Sequence, residues 1–480
     1  MTSDNRRPPH RSSSGKSGSG RKPAGSAGGG EREGGAFAQR GPVKPGIMAR
    51  AAAAKILSAV VDRKISLDGM LDNVNGNPAY RALPEADRSL VRAILNAALR
   101  HLPRIDATIA SLLDSPLPEG ARALHHVLVV AIAQILYLDI PDHSAVDLAV
   151  EQANTDPRNR RFAGLVNAVL RRLGREKQAI LEWTEDVPAM PKWFFTRLEK
   201  VYGREAAIGI ADAQMSPSAI DVTVKSTPET WAERLNGVVL PTGSVRLRPF
   251  DGPVTALPGF EDGEWWVQDA AASLPVQMMG DLAGKHVADL CAAPGGKTAQ
   301  LILAGGEVTA LDQSASRLKR LAGNLTRLKL EATLVEANML DYQPDELFDA
   351  VLLDAPCSST GTTRRHPDVL WSKGPEDIEK LAALQERMLR HALTLVKPGG
   401  AVVFSNCSLD PREGEDMVAR VLRDHGDFAL ESVKAENWPG LEMAITLAGE
   451  FRTTPAMLPP GDGVAGGLDG FYAVKLRRHL

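Results

Sequence analysis

Apolar residues change their spacing along this chain. From about residue 46 to 178 they recur at the three-and-four interval of an amphipathic helix: Ala51, Ile56, Leu57 and Val60, then Leu90, Val91, Ile94, Leu95 and Ala98, then the nearly unbroken run 127–138. Turn-forming clusters, Asn75-Gly76-Asn77-Pro78 and Pro116-Leu117-Pro118, separate these stretches. The spacing predicts an all-α domain of five to seven helices. In its last helix, 160–175, Leu165, Val166, Val169, Leu170 and Leu173 form an inward stripe, while Arg160, Arg161, Arg171, Arg172 and Arg175 crowd the two ends. Such arginines suit RNA phosphates, and a solvated face is the competing reading.

Beyond this domain the pattern is mixed. Residues 179–270 combine a helical stretch, 191–202, with strand-like runs at 220–224 and 245–248, and read as a small connecting α/β subdomain with Gln268-Asp269 leading into a further helix. From 271 to 480 strands and helices alternate: strand 286–290, a helix opening at 299, strand 307–311, helix 314–328, strands 332–336 and 350–353, helix 375–396 and strand 401–405. This order predicts a Rossmann-like, mostly parallel, doubly wound sheet with its chemistry at the strand carboxyl ends. Residues 1–45 carry little to bury and are expected to be disordered, either as a solubilising tail or as a weak, basic RNA contact.

Composition narrows the function classes. A net charge of −3 over 480 residues provides no global field for nucleic acid, so any such surface must be local. Three isolated cysteines exclude a disulfide framework or a Cys-x-x-Cys zinc site and point to a reducing compartment. His125, His126 and His143 lack metal-ligand spacing, and no metal is expected. The run 127–138 is shorter than the roughly 18 residues of a membrane span, and no secretory signal is read; a cytoplasmic monomer without membrane contact is expected.

The stretch Asp289-Leu-Cys-Ala-Ala-Pro-Gly-Gly-Lys-Thr298 links a strand to a helix. It is not a P-loop, because Cys291 stands where the first glycine belongs and Pro294 stiffens the middle; nor is it a dinucleotide fingerprint, since only Gly295 and Gly296 are present. An adenosine without a pyrophosphate remains. Asp312, 23 residues after Asp289, suits ribose hydroxyls, and Asp289, Asp312 and Asp354 together suit a sulfonium. S-adenosyl-L-methionine meets these conditions; the competing reading makes each aspartate a helix cap.

Two further strand ends carry Asp354-Ala-Pro-Cys357-Ser and Asn406-Cys407-Ser408. Neighbouring parallel strands lie about 4.8 Å apart, so both cysteines can face one cleft, although a single cysteine in such a place is usually an inert small hydrophobe. A methyl acceptor that needs a thiol is an unactivated ring carbon. Carbon 5 of a pyrimidine becomes nucleophilic only after a thiolate adds to carbon 6. Lys297 and the sulfonium are candidate positive charges to lower the thiol pKa, the second cysteine can assist release, and Asp354 can hydrogen-bond cytosine.

These motifs, with Arg364-Arg365-His366-Pro367-Asp368, Glu413, Glu415 and Asp469-Gly470-Phe471-Tyr472, resemble the bacterial RsmB/Sun-type RNA cytosine-5 methyltransferases. Asp87-Arg88, Ala98-Leu99-Arg100 and 164–171 resemble the NusB-like helical domain on that branch. The resemblance implies methylation of small-subunit (16S) ribosomal RNA through a covalent cysteine–cytosine adduct. It implies Cys407 as nucleophile, Cys357 assisting release, Asp354 and Lys297 beside them, and a cofactor held by Cys291, Ala292, Ala293, Pro294, Gly295, Gly296, Lys297, Asp312, Asn338 and Asp354. Two positions depart from the pattern: Asn406 stands where the family has Thr, and Asn338 where it has Asp. Transfer RNA as the substrate, or a non-catalytic RNA-binding assembly factor, are the alternative readings.

Overall fold

The computed structural model describes residues 44–480, and Lys44–Leu480 form one compact unit. The expectation for the amino-terminal tail falls almost wholly outside the described residues.

Eight α-helices run from Ile47 to Thr184 among the described residues: α1 (Ile47–Arg63), α2 (Leu67–Leu71), α3 (Pro78–Arg81), α4 (Glu85–Arg100), α5 (Leu102–Leu112), α6 (Arg122–Tyr137), α7 (Asp142–Thr155) and α8 (Ala163–Thr184). The single-turn helices α2 and α3 take the number beyond the periodicity's five to seven, because four or five residues are too few to show a period. Helix α6 is buried on almost every side, from Leu124 to Leu136, so it shows no stripe and forms the centre of the bundle. With the 3₁₀ turn before it, Glu119–Tyr137 reaches 19 residues, long and apolar enough to span a membrane, yet 72% of it is buried inside the protein.

Helix α8 corrects two expectations. It continues unbroken to Thr184 and does not end near residue 175, because Leu173 and Ile180 are both buried along it. Leu165, assigned to the inward stripe, is instead 37% exposed. Of the arginines at its ends, Arg172 pairs with Glu176 at 2.9 Å and Arg171 donates to Asn167.

Helices α9 (Lys192–Tyr202) and α10 (Arg204–Ala213) follow, broken by Gly203 at φ +83°; the second was not legible in the sequence. A four-stranded antiparallel sheet, order β2-β3-β1-β4, then collects β1 (Asp221–Val224), β2 (Gly237–Val239), β3 (Val245–Leu247) and β4 (Trp265–Val267), with α11 (Pro228–Arg234) against it. Helix α12 (Ala270–Gln277) leads into the larger sheet, its amino terminus capped by Asp269.

That sheet contains β5 (His286–Leu290), β6 (Glu307–Asp312), β7 (Thr333–Glu336), β8 (Phe348–Asp354), β9 (Val396–Asn406), β10 (Phe428–Leu430), β11 (Phe451–Thr453) and β12 (Phe471–Arg478). The order is β10-β12-β9-β8-β5-β6-β7, with β11 also on β12. Strands β5 to β9 are parallel and β12 runs antiparallel to β9. Helices α13 (Gly296–Leu303), α14 (Ala315–Arg327), α15 (Val369–Ser372), α16 (Pro375–Thr394) and α17 (Glu415–Asp424) connect or cover the strands. The chain steps from β5 outward to β7, then returns to the other side of β5 for β8 and β9. The reversal between β5 and β8 opens a crevice at their carboxyl ends, where a ligand can enter between diverging connections.

The loop after β8 also fastens the helical bundle. Arg100 donates to the carbonyls of Gln214, Ser216 and Arg364, Trp371 to the carbonyl of Leu99, and Asp368 accepts from the amide of Leu67. His366 lies 3.4 Å from Asp68 of α2. Asp68 raises the His366 pKa, so the imidazolium contact is fully present below the ordinary histidine value of about 6.5 and is lost as pH rises through the elevated folded value. His366→Ala is therefore expected to flatten the fall in thermal midpoint as pH rises above that range, with only a small change at high pH, as read by differential scanning fluorimetry.

Candidate active site

Register brings the sequence-predicted residues to one edge. Leu290 pairs with Leu311 and Leu353, Asp312 with Glu336, and Asp354 with Ser405. Cys291, Asp312, Asn338, Asp354 and Cys407 thus leave five adjacent strands at nearly the same height, and all five line one cavity of about 390 Å³.

The loop after β5 turns sharply to do this. Cys291 adopts φ +70° and Gly295 φ +104°; a Cβ on Gly295 would meet Leu321 at 3.0 Å, so glycine is required there both for conformation and for space. Arg317 donates to the carbonyl of Ala293 and Asn324 to that of Pro294, which pins the loop to α14. Helix α13 begins at Gly296, three residues before its expected start. Cys291, Ala293 and Lys297 line the cavity; Ala292, Pro294, Gly295 and Gly296 do not, and their contribution is the shape of the turn.

Asp289 corrects both readings offered for it. It neither lines the cavity nor caps α13: it is 1% exposed, accepts from the Thr298 hydroxyl at 2.6 Å, and burial pushes its pKa up to about 7. Asp312 accepts from the amides of Ala293 and Ser314 while still reaching the cavity. Asn338 caps the next turn, accepting from Leu340 and donating to Asp341 at 2.7 Å.

The two sulfurs lie 3.5 Å apart. The Cys357 thiol donating to it lowers the Cys407 pKa, with help from the Ser359 hydroxyl and against the cost of burial; Cys357 is raised by the same contact and by burial. Of the pair, Cys407 is therefore the thiol that ionises first. Lys297 is not the source of this shift. Its ammonium sits 2.8 Å from Asp354 and 5.0 Å over the Phe471 ring, so its charge is spent holding the carboxylate. Asp354 also accepts from Ser405 at 2.9 Å. Burial, with three nearby carboxylates, pushes the Cys291 thiol up to about 12, which makes it a poor nucleophile.

A buried carboxylate ties the two cysteine loops together. Glu413, 0% exposed, accepts from the Ser358 amide and the Gln385 amide group at 2.8 Å, and from the hydroxyls of Ser358 and Ser408 at 2.5 Å. Those serines follow Cys357 and Cys407. Asn406, the departure from the family's Thr, joins this network by donating to the Glu413 carbonyl and accepting from the Ser408 amide. Glu413→Gln turns an accepting oxygen into a donor facing donors. A misplacement of about 1 Å costs roughly 10²-fold, so we expect kcat to fall by about that factor with little change in cofactor affinity, measured by steady-state kinetics and isothermal titration calorimetry.

Sequence reading missed Gln313, Arg317, Thr362, Arg365, Met388 and Asp469 in the cavity wall. Only Asp469 and Arg365 lay inside noted motifs. Neither carried a spacing that pointed to this wall.

Residues 277–477 match the family described as 16S rRNA methyltransferase RsmB/F, and residues 48–175 the NusB family. The chain is 36% identical over 422 residues to Ribosomal RNA small subunit methyltransferase B of Vibrio vulnificus, covering 82% of this chain and 95% of that protein. This chain belongs to the RsmB/F family. A second RsmB/F relative, Ribosomal RNA small subunit methyltransferase B of Pasteurella multocida, is 32% identical, with 89% and 96% of the two chains covered. The crystal structure of PH0851 shares this chain's fold, with TM-score 0.66 and 22% identity over 91% of this chain and 99% of that one. That of NSun6 from Pyrococcus horikoshii with SFG superposes over 61% of this chain and 99% of that one, with TM-score 0.50 and 20% identity.

As an RsmB/F member the protein is an S-adenosyl-L-methionine-dependent methyltransferase. The residues present fit that cofactor: a carboxylate at the end of β6, a polar side chain after β7 and apolar Leu311 and Leu340 between them line the cavity.

Proposed function

We propose that this chain methylates carbon 5 of a cytosine in small-subunit ribosomal RNA through a transient bond from Cys407 to the ring. The observation that carries this reading is the 3.5 Å approach of the two sulfurs in the wall of a cavity that Asp312 and Asp354 also line. Asp312 would take the ribose hydroxyls of the cofactor, with Asn338 and Ala293 beside the adenosine. Bound there, S-adenosyl-L-methionine supplies an electrophilic methyl group.

The protein's own residues perform the remaining work. Cys407 thiolate adds to carbon 6, and the electrons of the carbon 5–carbon 6 double bond move to carbon 5, which becomes the nucleophile. Asp354 accepts from the exocyclic amine, and Lys297, held against it, donates to ring nitrogen 3; uracil offers a carbonyl and an N–H at these two places, so both contacts reverse. Once the Cys407 sulfur is bonded to carbon, the contact that raised Cys357 is gone. Cys357 can then give its own proton to water and, as thiolate, take the carbon 5 proton; the double bond re-forms, the carbon 6–sulfur bond breaks and Cys407 leaves as thiolate. The base must be unpaired or flipped out to reach this wall.

The helical bundle and its arginines supply additional RNA contact in this reading, and the three free thiols suit a reducing cytoplasm. Bisulfite sequencing of total RNA with and without the gene tests it. Loss of a 5-methylcytosine in small-subunit ribosomal RNA is the expected result; loss confined to transfer RNA would move the substrate, and an unchanged map together with inactive purified protein would overturn the activity.

A further inference from the structure

A second cavity, of about 540 Å³, opens where α4 meets the loop after β8; Asn96, Arg100, His101, Tyr137, Arg364 and Arg365 are in its wall. Arg365 also lines the cavity of the paired cysteines, so the two spaces share a wall.

Four guanidinium groups gather at or behind this wall, against three buried carboxylates. Arg246 is held by Asp221 at 2.7 and 2.8 Å, and Arg365 by Asp469 and Asp269. Arg100 spends its terminal nitrogens on backbone carbonyls. Arg364 is left over. Its side chain is 3% exposed and its Nη1 donates to the Gly466 carbonyl at 2.9 Å, but Nε and Nη2 have no hydrogen-bond partner. The nearest carboxylate oxygen, on Asp469, stands 3.7 Å from Nη2.

A water bridging that gap would satisfy Nη2 and leave Nε unanswered. Unmade hydrogen bonds on a buried cation are costly, and a small turn of the Arg364 side chain toward the cavity it lines would let an anion answer both charge and donors. In the same cavity wall the rings of His101 and Tyr137 stack on each other at 3.6 Å, and His101 Nδ1 is also buried without a partner. A ligand that brings an anionic oxygen and a planar heterocycle together is a nucleotide.

We propose that this second cavity seats the RNA nucleotide next to the target cytosine, with its phosphodiester on Arg364 and its base at the His101 and Tyr137 rings. The inference rests on the RNA-methyltransferase reading of the adjoining cavity, because the shared Arg365 wall would let one strand place consecutive nucleotides in the two spaces. It also gives a chain of net charge −3 a local cation for a polyanion, because the four guanidinium groups exceed the three carboxylates by one.

The test is equilibrium binding of a fluorescein-labelled single-stranded RNA oligonucleotide to the full-length protein across a salt series. Asn96, exposed at the rim on α4, is changed to Glu, which sets a carboxylate at the cavity mouth without touching the core; Arg364→Gln is the second variant. Each is expected to raise Kd about tenfold near 0.1 M salt, and Arg364→Gln to make the salt slope shallower by about 0.7, the loss of one phosphate contact on a single strand. An unchanged Kd for Asn96→Glu, in protein with the wild-type melting curve, overturns the proposal even if Arg364→Gln fails to fold. Methyl transfer by the wild type is measured in parallel. Its absence would overturn the activity, while the binding comparison alone would still decide the second cavity.

Discussion

Cys407→Ala should bring methyl transfer to RNA below detection while leaving S-adenosyl-L-methionine binding intact. The methyl acceptor is a ring carbon with no nucleophilic character of its own, and Cys407 is the sulfur of the pair whose pKa is lowered. Cys357 cannot substitute, since its sulfur stands 3.5 Å from the place of the missing one and burial still raises its thiol, and Cys291 is pushed up to about 12. Removing a nucleophile of this kind costs about 10⁴-fold or more in kcat. The alanine leaves Asp312 and Asn338 untouched on other strand ends, so calorimetric affinity for the cofactor should match wild type. Transfer of labelled methyl groups to RNA checks the first half, and activity within tenfold of wild type would refute covalent catalysis by this residue.

Cys357→Ala should have a different result: RNA is captured and not released. Addition to carbon 6 and methylation at carbon 5 use the Cys407 sulfur, more slowly without the Cys357 hydrogen bond, whereas expulsion of that sulfur requires removal of the carbon 5 proton. Cys357 lies 3.5 Å from the sulfur being expelled, and it is the thiol freed to ionise once Cys407 is covalently engaged. The variant should accumulate a protein–RNA species that survives denaturing electrophoresis, needs the cofactor to have formed the methylated adduct, and approaches one equivalent per enzyme. The double variant Cys357→Ala/Cys407→Ala should form none. A wild-type rate of product release from Cys357→Ala would assign proton removal elsewhere.

Much of the site was legible because its chemistry depends on uncommon residues at strand ends. The glycine loop, Asp312, Asp354 and both cysteines each follow an apolar run, and parallel register does the rest. What was not legible is the division of labour between neighbours. Lys297 looked like the charge that activates the thiol, yet it is paired with Asp354 at 2.8 Å; Asp289 looked like a ligand group, yet it is buried against Thr298. Both errors have one cause: spacing places a backbone, and the direction of a side chain depends on partners contributed by distant segments. Glu413 illustrates the same limit from the other side. Its motif was visible, but its hold on Ser358 and Ser408 arises only when two strands 50 residues apart in sequence stand side by side.

By itself the sequence determined the order of helices and strands, the absence of a phosphate-binding loop, and the presence of two thiols at equivalent strand ends. Those are properties of local hydrophobic period and of residue type, which a linear pattern preserves. The tertiary structure alone decided that the sulfurs meet, which of them gives up its proton first, and that the helical bundle closes a second cavity over Arg364. Each of these depends on burial and on through-space charge between groups far apart in the chain, and neither quantity exists until the chain has folded.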